Sequence, residues 1–315
     1  MKPARRHMAD YGLAVALLVV LAALMLLSPA FRDPANLIGI GRQVAILGIA
    51  AAAMTFVILA GEIDLSVGAV ASAAAVVTAI ALAGGYGIWA LPIGLAVGAG
   101  FGLLNGLLVV YVAIPSFIAT LVSFFIAQGV ALTLTGGRTI LFDAEWFRQM
   151  FATGVFAGNR AAFWWLLAVA LLMWWLLART RFGANIYALG GDAESAGMLG
   201  LPVARLRLAI FTLTGALMGL VGMILIARIG NARADGAIGL EFDAIAAAVI
   251  GGTRLGGGAG SMPRTMLGVA LIGILNNGLA ILNIDFNTQQ VIKGVLVIAV
   301  VLIDRWARGG REVPE

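Results

Sequence analysis

The chain has no cysteine, and its one histidine, His7, lies in a basic N-terminal stretch. Without thiols there is no disulfide framework, no thiol nucleophile and no cysteine-held metal. One terminal histidine supplies neither a metal cluster nor a buried general base. Lysine is nearly absent as well: Lys2 and Lys293 are the only two, and neither lies in a G-x-x-x-x-G-K-[ST] pattern. The run Gly256-Gly257-Gly258-Ala259-Gly260 therefore lacks the amine that would reach a phosphate, and reads as a tight turn. Charge of both signs is scarce, 11% of 315 residues against 62% hydrophobic, where a soluble domain carries roughly a quarter. Such a chain cannot cover a folded surface with polar groups, so its outer surface must face lipid. A net charge of +5 would suggest nucleic acid in a soluble protein. Here the arginines sit mostly at the ends of apolar runs, where they set topology, and no nucleic-acid partner is expected.

What the sequence does have is long apolar runs rich in Ala and Gly, with 42 glycines. Small residues let membrane helices approach closely. The expected fold is all-α and integral to the membrane, a single domain over residues 1–315. About ten apolar segments can be marked, some shorter than the roughly 20 residues of a perpendicular span: 11–27, 41–60, 67–83, 88–112, 116–135, 162–178, 207–228, 243–252, 265–283 and 289–304. The third and eighth are short, and the eighth spans only if it is tilted, re-entrant or covered by neighbours. The first segment has no clear small-residue cleavage site behind it and reads as a span rather than a signal peptide. With a cytoplasmic N-terminus, Lys2, Arg5 and Arg6, the loop with Arg179, Arg181, Arg205 and Arg207, then Arg254 and Arg264, and the tail with Arg305, Arg308 and Arg311 all fall inside. Both termini are then cytoplasmic. Trp164, Trp165, Trp174 and Trp175 bracket the sixth segment, as interfacial anchors or as lipid-facing bulk.

Two pairs of segments match approximately, as an internal repeat or as chance similarity between Ala/Gly/Leu-rich helices. L-L-N-G-L-L-V-V-Y from Leu103 matches I-L-N-N-G-L-A-I-L from Ile274, and Glu62-Ile63-Asp64 before one small-residue helix matches Glu241-Phe242-Asp243 before another. Five spans per half would invert one half relative to the other, an arrangement common in transporters.

Polar residues are few enough to weigh singly. Residues 59–68, L-A-G-E-I-D-L-S-V-G, set Glu62 and Asp64 between two uncharged runs, a costly position without water, a partner or protein interior. Asp64 and Ser66 are suited to capping the helix that follows. Lining of a path and proton relay are the alternatives. Glu241 and Asp243 are the corresponding candidates in the second half. Asn105, Asn276 and Asn277 are amides in apolar helices, suited to bonding between helices or to lining a path for hydroxyls. The longest polar stretch on the inner side is 179–207. In it Gly190-Gly191 is a turn signal, Asp192 is placed to cap a short helix, Glu194 adds favourable charge to its first turn, and Gly200 with Pro202 ends it. Met198, Leu199 and Leu201 give that helix an apolar side, which suits a groove on a soluble partner; an ordinary interfacial helix is the alternative, and composition alone favours it.

L-A-G-E-I-D-L-S-V-G-A-V, A-L-G-G-D-A-E-S-A-G-M-L-G-L-P-V, F-D-A-I-A-A-A-V-I-G-G-T-R-L-G-G-G-A-G-S and L-N-N-G-L follow one another in order. Together they resemble the integral permease subunit of ribose-type ABC sugar importers, in the branched-chain amino-acid/ribose permease superfamily. The resemblance covers nearly the whole chain. It implies a ten-helix fold like that of vitamin B12-type importer permeases, a bacterial inner-membrane location and transport rather than catalysis. It also implies a second permease copy or homologue, a periplasmic solute-binding protein, and a separate ATPase subunit that holds ATP and Mg, so that this chain carries no cofactor. The coupling helix it implies would place Gly190, Gly191, Asp192, Glu194, Ala196, Gly200, Leu201 and Pro202 at the ATPase. Ser195 stands where the family's first alanine is expected, and Gly197-Met198 where a polar residue is common. A branched-chain amino-acid permease shares this fold but should differ at I-D-L-S-V-G. An ion-coupled transporter should carry an ionisable pair near the midplane. A membrane scaffold would need no coupling loop.

Overall fold

The computed structural model describes residues 3–156, 158–285, 288, 289, 291, 292, 294, 295 and 298. Helices dominate: α1 Pro3–Leu27, α2 Pro34–Leu59, α3 Val67–Ala83, α4 Ala90–Val110, α5 Ser116–Thr135, the short α6 Glu145–Arg148, α7 Ala161–Arg179, α8 Arg181–Gly191, α9 Ala193–Met198, α10 Val203–Ile229, α11 Leu240–Ile250 and α12 Met262–Ile281. Among the described residues six stretches are long and apolar enough to cross a bilayer: α2, α4 with its preceding turn, α5, α7, α10 and α12. α3, at 17 residues, is under the roughly 20 of a full span, and it is buried along almost its whole length. The last expected segment, 289–304, lies largely outside the described residues, as do Lys2 and the arginine tail. Its described positions Gln289, Val291, Ile292, Gly294, Val295 and Ile298 are helical.

α2 is the hub. Asp33 caps its start by accepting from the Ala35 amide, Pro34 occupies the first turn, and the run from Val44 to Ala60 is buried. α10 is the second axis, and the two axes are used alike: α10 packs on α3 and α4, while α2 packs on α11 and α12. In each case the short helix also packs on the long one.

α4 meets α10 through glycines at every fourth position, Gly94, Gly98, Gly102 and Gly106. A methyl on Gly98 would overlap the carbonyl oxygen of Gly215 and come within 2.7 Å of the Gly219 nitrogen. Backbone therefore touches backbone, the approach that small-residue spacing makes available in lipid.

The chain ends of the bundle differ. At one, β1 Ile140–Leu141 pairs antiparallel with β4 Asn231–Ala232, and β2 Val155–Phe156 pairs with β3 Asn159–Arg160. Trp164 and Trp165 lie at this ribbon end and bond its loops, their indole N–H groups donating to the carbonyls of Phe156 and Met150 at 2.9 and 3.0 Å. At the opposite end lie the α2–α3 break, α8, α9 and the turn before α12. Between β4 and α11 the chain turns back into the bundle, where the buried Ala237 donates its amide to Ser72 Oγ at 2.9 Å, within α3. α11 thus begins in the interior and covers only part of the bundle's depth.

Candidate functional site

The break between α2 and α3 is held from three directions. Glu62 is buried and meets Arg207 of α10, Oε1 to Nε 2.7 Å, with side-chain exposures of 8% and 29%. Asp64 Oδ1 accepts from the amide of Ser66 at 2.8 Å and from its hydroxyl at 2.6 Å. Asn105 of α4 donates Nδ2 to that hydroxyl oxygen at 2.9 Å. The backbone amides of Ile63 and Leu65 donate to Ser116 Oγ and Thr120 Oγ1 of α5. The expectation that Ser66 caps α3 is corrected. Ser66 has helical backbone angles and makes no side-chain cap bond, because its hydroxyl is engaged by Asp64 and Asn105. Asp64 closes a local turn rather than serving the helix's first N–H groups.

The second-half motif has a different geometry. Gly239, at φ +92°, lets α11 start at Leu240, so Glu241 and Asp243 lie inside its first turn, not ahead of it as the sequence pattern suggested. Negative charge there meets the positive end of the helix dipole. Glu241 is buried, and its Oε1 accepts from the Gly239 amide at 3.0 Å. Asp243 instead faces a cavity of about 360 Å³ between α2, α10, α11 and α12, together with Gln43, Arg228, Asn276 and Gln289. That volume is at the lower end of small-molecule sites. An adjoining recess of about 340 Å³ is lined by Gly39, Gln43, Arg228 and Asn277. Asn277 also joins helices: its Nδ2 donates to Asn36 Oδ1 at 2.9 Å, and Asn36 Nδ2 returns a bond to Asn277 Oδ1 at 3.1 Å.

Of the sequence-derived path residues, the structure gathers Asp243, Asn276 and Asn277 around open space. Asp64, Ser66 and Asn105 bond to one another elsewhere, Glu62 is paired there with Arg207, and Glu241 is enclosed beside Gly68. Sequence reasoning missed Gln43 and Arg228 as cavity residues and Arg207 as the partner of Glu62. A Gln and an Arg inside or at the end of apolar helices were available signals for the first two.

The polar segment 179–207 folds as two helices in succession, α8 and α9. Asp192 caps α9, its Oδ1 accepting from the amides of Glu194 and Ser195 at 3.0 and 3.1 Å. Ser195 Oγ donates to Asp192 Oδ2 at 2.6 Å. These bonds, the Ser195 hydroxyl first, hold the Asp192 carboxyl below the ordinary carboxylate range. Ala196 packs inward, whereas Glu194, Gly200 and Pro202 are exposed and Leu201 is half-buried. Met198 and Leu199 stand out at 76% and 84% exposure. Two bare apolar side chains thus stand at the end of this six-residue helix.

Long apolar helices around a cavity with a polar lining, and a short helical loop at one end, are the architecture of a multi-pass membrane protein. The sequence agrees: residues 36–301 match the family described as branched-chain amino acid transport system / permease component, and the chain belongs to that family. It is 38% identical over 300 residues to the ribose import permease protein RbsC of Bacillus subtilis, covering 95% of this chain and 93% of that one. It is 37% identical over 295 residues to RbsC of Escherichia coli K12, covering 92% of each. To the L-arabinose permease protein AraH of Azospirillum brasilense it is 31% identical over 301 residues, covering 95% and 88%. The fold is similar to that of a chain from a transporter described as of metal-chelate ABC type, in an inward-facing conformation, with TM-score 0.51, 19% identity and coverage of 95% and 96%.

Proposed function

We propose that this chain is the membrane-spanning subunit of an ATP-driven importer for a monosaccharide of the pentose type. The observation that carries the reading is similarity along nearly the full length to permeases named for ribose and arabinose. The cavity supports it: amides at Gln43, Asn276 and Gln289 line it beside Asp243 and Arg228, groups suited to hydroxyls rather than to an apolar side chain. ATP and Mg are bound by a separate ATPase subunit that receives the 192–202 loop at Met198 and Leu199. A periplasmic binding protein delivers sugar at the ribbon end, and a second permease copy completes the pore in a bacterial inner membrane. The correspondence of α3, α4 and α10 with α11, α12 and α2 supports a five-plus-five inverted repeat of ten spans, with both termini cytoplasmic. Transport then proceeds by alternating access, as ATP closes the ATPase pair and moves the loop.

The test is uptake into proteoliposomes holding this chain, its ATPase subunit and its binding protein. ATP-dependent entry of radiolabelled D-ribose or L-arabinose, unaffected by excess leucine, is the expected result. Entry of leucine in place of both sugars would transfer the chain to the amino-acid reading, and uptake without any ATPase subunit would end the ABC reading.

A further inference from the structure

Where α2 ends, three backbone segments from distant parts of the sequence meet with no side chain between them. The Gly258 amide donates to the Leu59 carbonyl at 3.0 Å. Gly190 lies against the same carbonyl: a methyl there would overlap the Leu59 oxygen and come within 2.6 Å of the Gly258 nitrogen. From the far side, a methyl on Gly257 would come within 2.6 Å of the Gly190 oxygen and 2.9 Å of the Gly61 Cα. Gly257 and Gly258 have φ of +81° and +70°, so the turn is closed to L side chains twice over. The contact is braced by Tyr187, whose hydroxyl donates to the Gly260 carbonyl at 3.0 Å, and by Phe182 against Phe56, ring centroids 6.2 Å apart.

The chain on either side of α9 is thus fastened to one short stretch. Gly190 is seated against Leu59 and Gly61, and Arg207 is ion-paired to Glu62. Backbone in contact with backbone has no rotamer to absorb a displacement, and close-packed interiors transmit it. We infer that Gly190, the Leu59 carbonyl and Gly257-Gly258 form a clasp that carries movement of the α8–α9 loop into the end of α2 and the 61–66 break, making Gly190 a positioning residue for transport. This rests on the reading of the chain as an ATP-driven permease.

The absence of native cysteine makes the clasp measurable. In the assembled transporter, spin labels at Ala184→Cys and Gly256→Cys, both exposed positions, report the distance across it with and without ATP. Reaction of Ile63→Cys with a polar maleimide reports the break. The expected result is a label separation constant to within about 2 Å, the scale of helix shifts at packed interfaces, and a maleimide rate that ATP changes about tenfold, an ordinary coupling between sites. Gly190→Ala, scored only in complexes that retain the ATPase subunit, should abolish the ATP response at Ile63→Cys. Gly256→Ala, where a methyl meets nothing within 4 Å, should keep it. A label separation that changes with ATP, a wild-type break that does not respond, or a Gly190→Ala protein that responds normally would each overturn the clasp. If Gly190→Ala fails to accumulate, the first two measurements in the Gly190 protein decide. A wild-type chain that retains no ATPase subunit would instead remove the permease reading itself.

Discussion

The two arms of the molecule use the same parts with opposite results. In the N-terminal arm, α3 and α4 close on α10 with glycine against backbone, and Asp64, Ser66 and Asn105 bond to one another. In the C-terminal arm, α11 and α12 meet each other in the same way, since a methyl on Gly268 would overlap the Ala247 carbonyl oxygen, but where α12 meets α2 a methyl on Gly273 would come within 2.7 Å of the Val44 side chain rather than of backbone. A side chain between two helices holds them further apart than backbone contact does. The space left over is the cavity beside Asn276 and Asp243. The contact of α4 with α10 is therefore backbone on backbone, that of α12 with α2 has a side chain between, and the difference lies in what each glycine faces.

The sharpest way to break that contrast is through the glycines. Gly98→Ala should destabilise by about 3 kcal/mol or more, because backbone must part, and Gly273→Ala by only about 1 kcal/mol, since a valine can shift. Equal losses in detergent thermal unfolding would erase the distinction. Next in size is Arg207→Ala, which strands Glu62. A buried broken pair costs about 3–5 kcal/mol, reduced to about 2 by the partial exposure of the arginine. Glu62→Gln combined with Arg207→Met should recover most of the loss in the same melt.

The amides test the arms directly. Asn105→Ala should lower stability by about 1–2 kcal/mol, leaving Ser66 without its donor. Asn276→Ala should leave the melt within about 0.5 kcal/mol but raise the KM for D-ribose uptake about tenfold, the effect of one polar contact to a sugar. Asp64→Asn belongs with the first: altered sugar preference in a normally folded protein would move the N-terminal arm into the path. The smallest effect is in the exposed loop. The Asp192 carboxyl is held below its ordinary range, so its cap is fully present above the usual carboxylate pKa and is lost as pH falls through the lowered value. Protection of the Glu194 and Ser195 amides, taken relative to intrinsic exchange at each pH, should therefore be present at neutral pH and fall as pH drops through the lowered value, and Asp192→Ala should remove it at neutral pH.

The contrast between the arms was only half legible in the sequence. Hydropathy located the apolar segments because lipid demands unbroken runs, and the match of the segment around Asn105 with that around Asn276 and Asn277 set the two arms side by side. Two things were hidden. The start of α11 moved because Gly239 takes a left-handed turn that no hydrophobic pattern announces, which placed Glu241 and Asp243 inside the helix. Arg207 read as a topology marker because its partner lies far along the chain, and an ion pair between distant residues leaves no local period. The capping role of Asp192 was visible because a cap and its helix are adjacent. Cavity residues such as Gln43 were not, since openness depends on the helix opposite.

The burial of α2 has a consequence for synthesis. This helix is apolar enough to sit comfortably in lipid, and in the finished bundle almost none of its second half touches lipid. Its hydroxyl at Thr55 bonds Thr265 Oγ1 at 2.9 Å, across 210 residues of sequence. At about 5–20 residues per second that partner is made roughly 10–40 s later. For that interval the future centre of the molecule is a peripheral helix in the bilayer, with Thr55 closed onto its own Ala51 carbonyl at 2.7 Å. The same bond that occupies the finished helix keeps the nascent one free of an exposed donor while it waits.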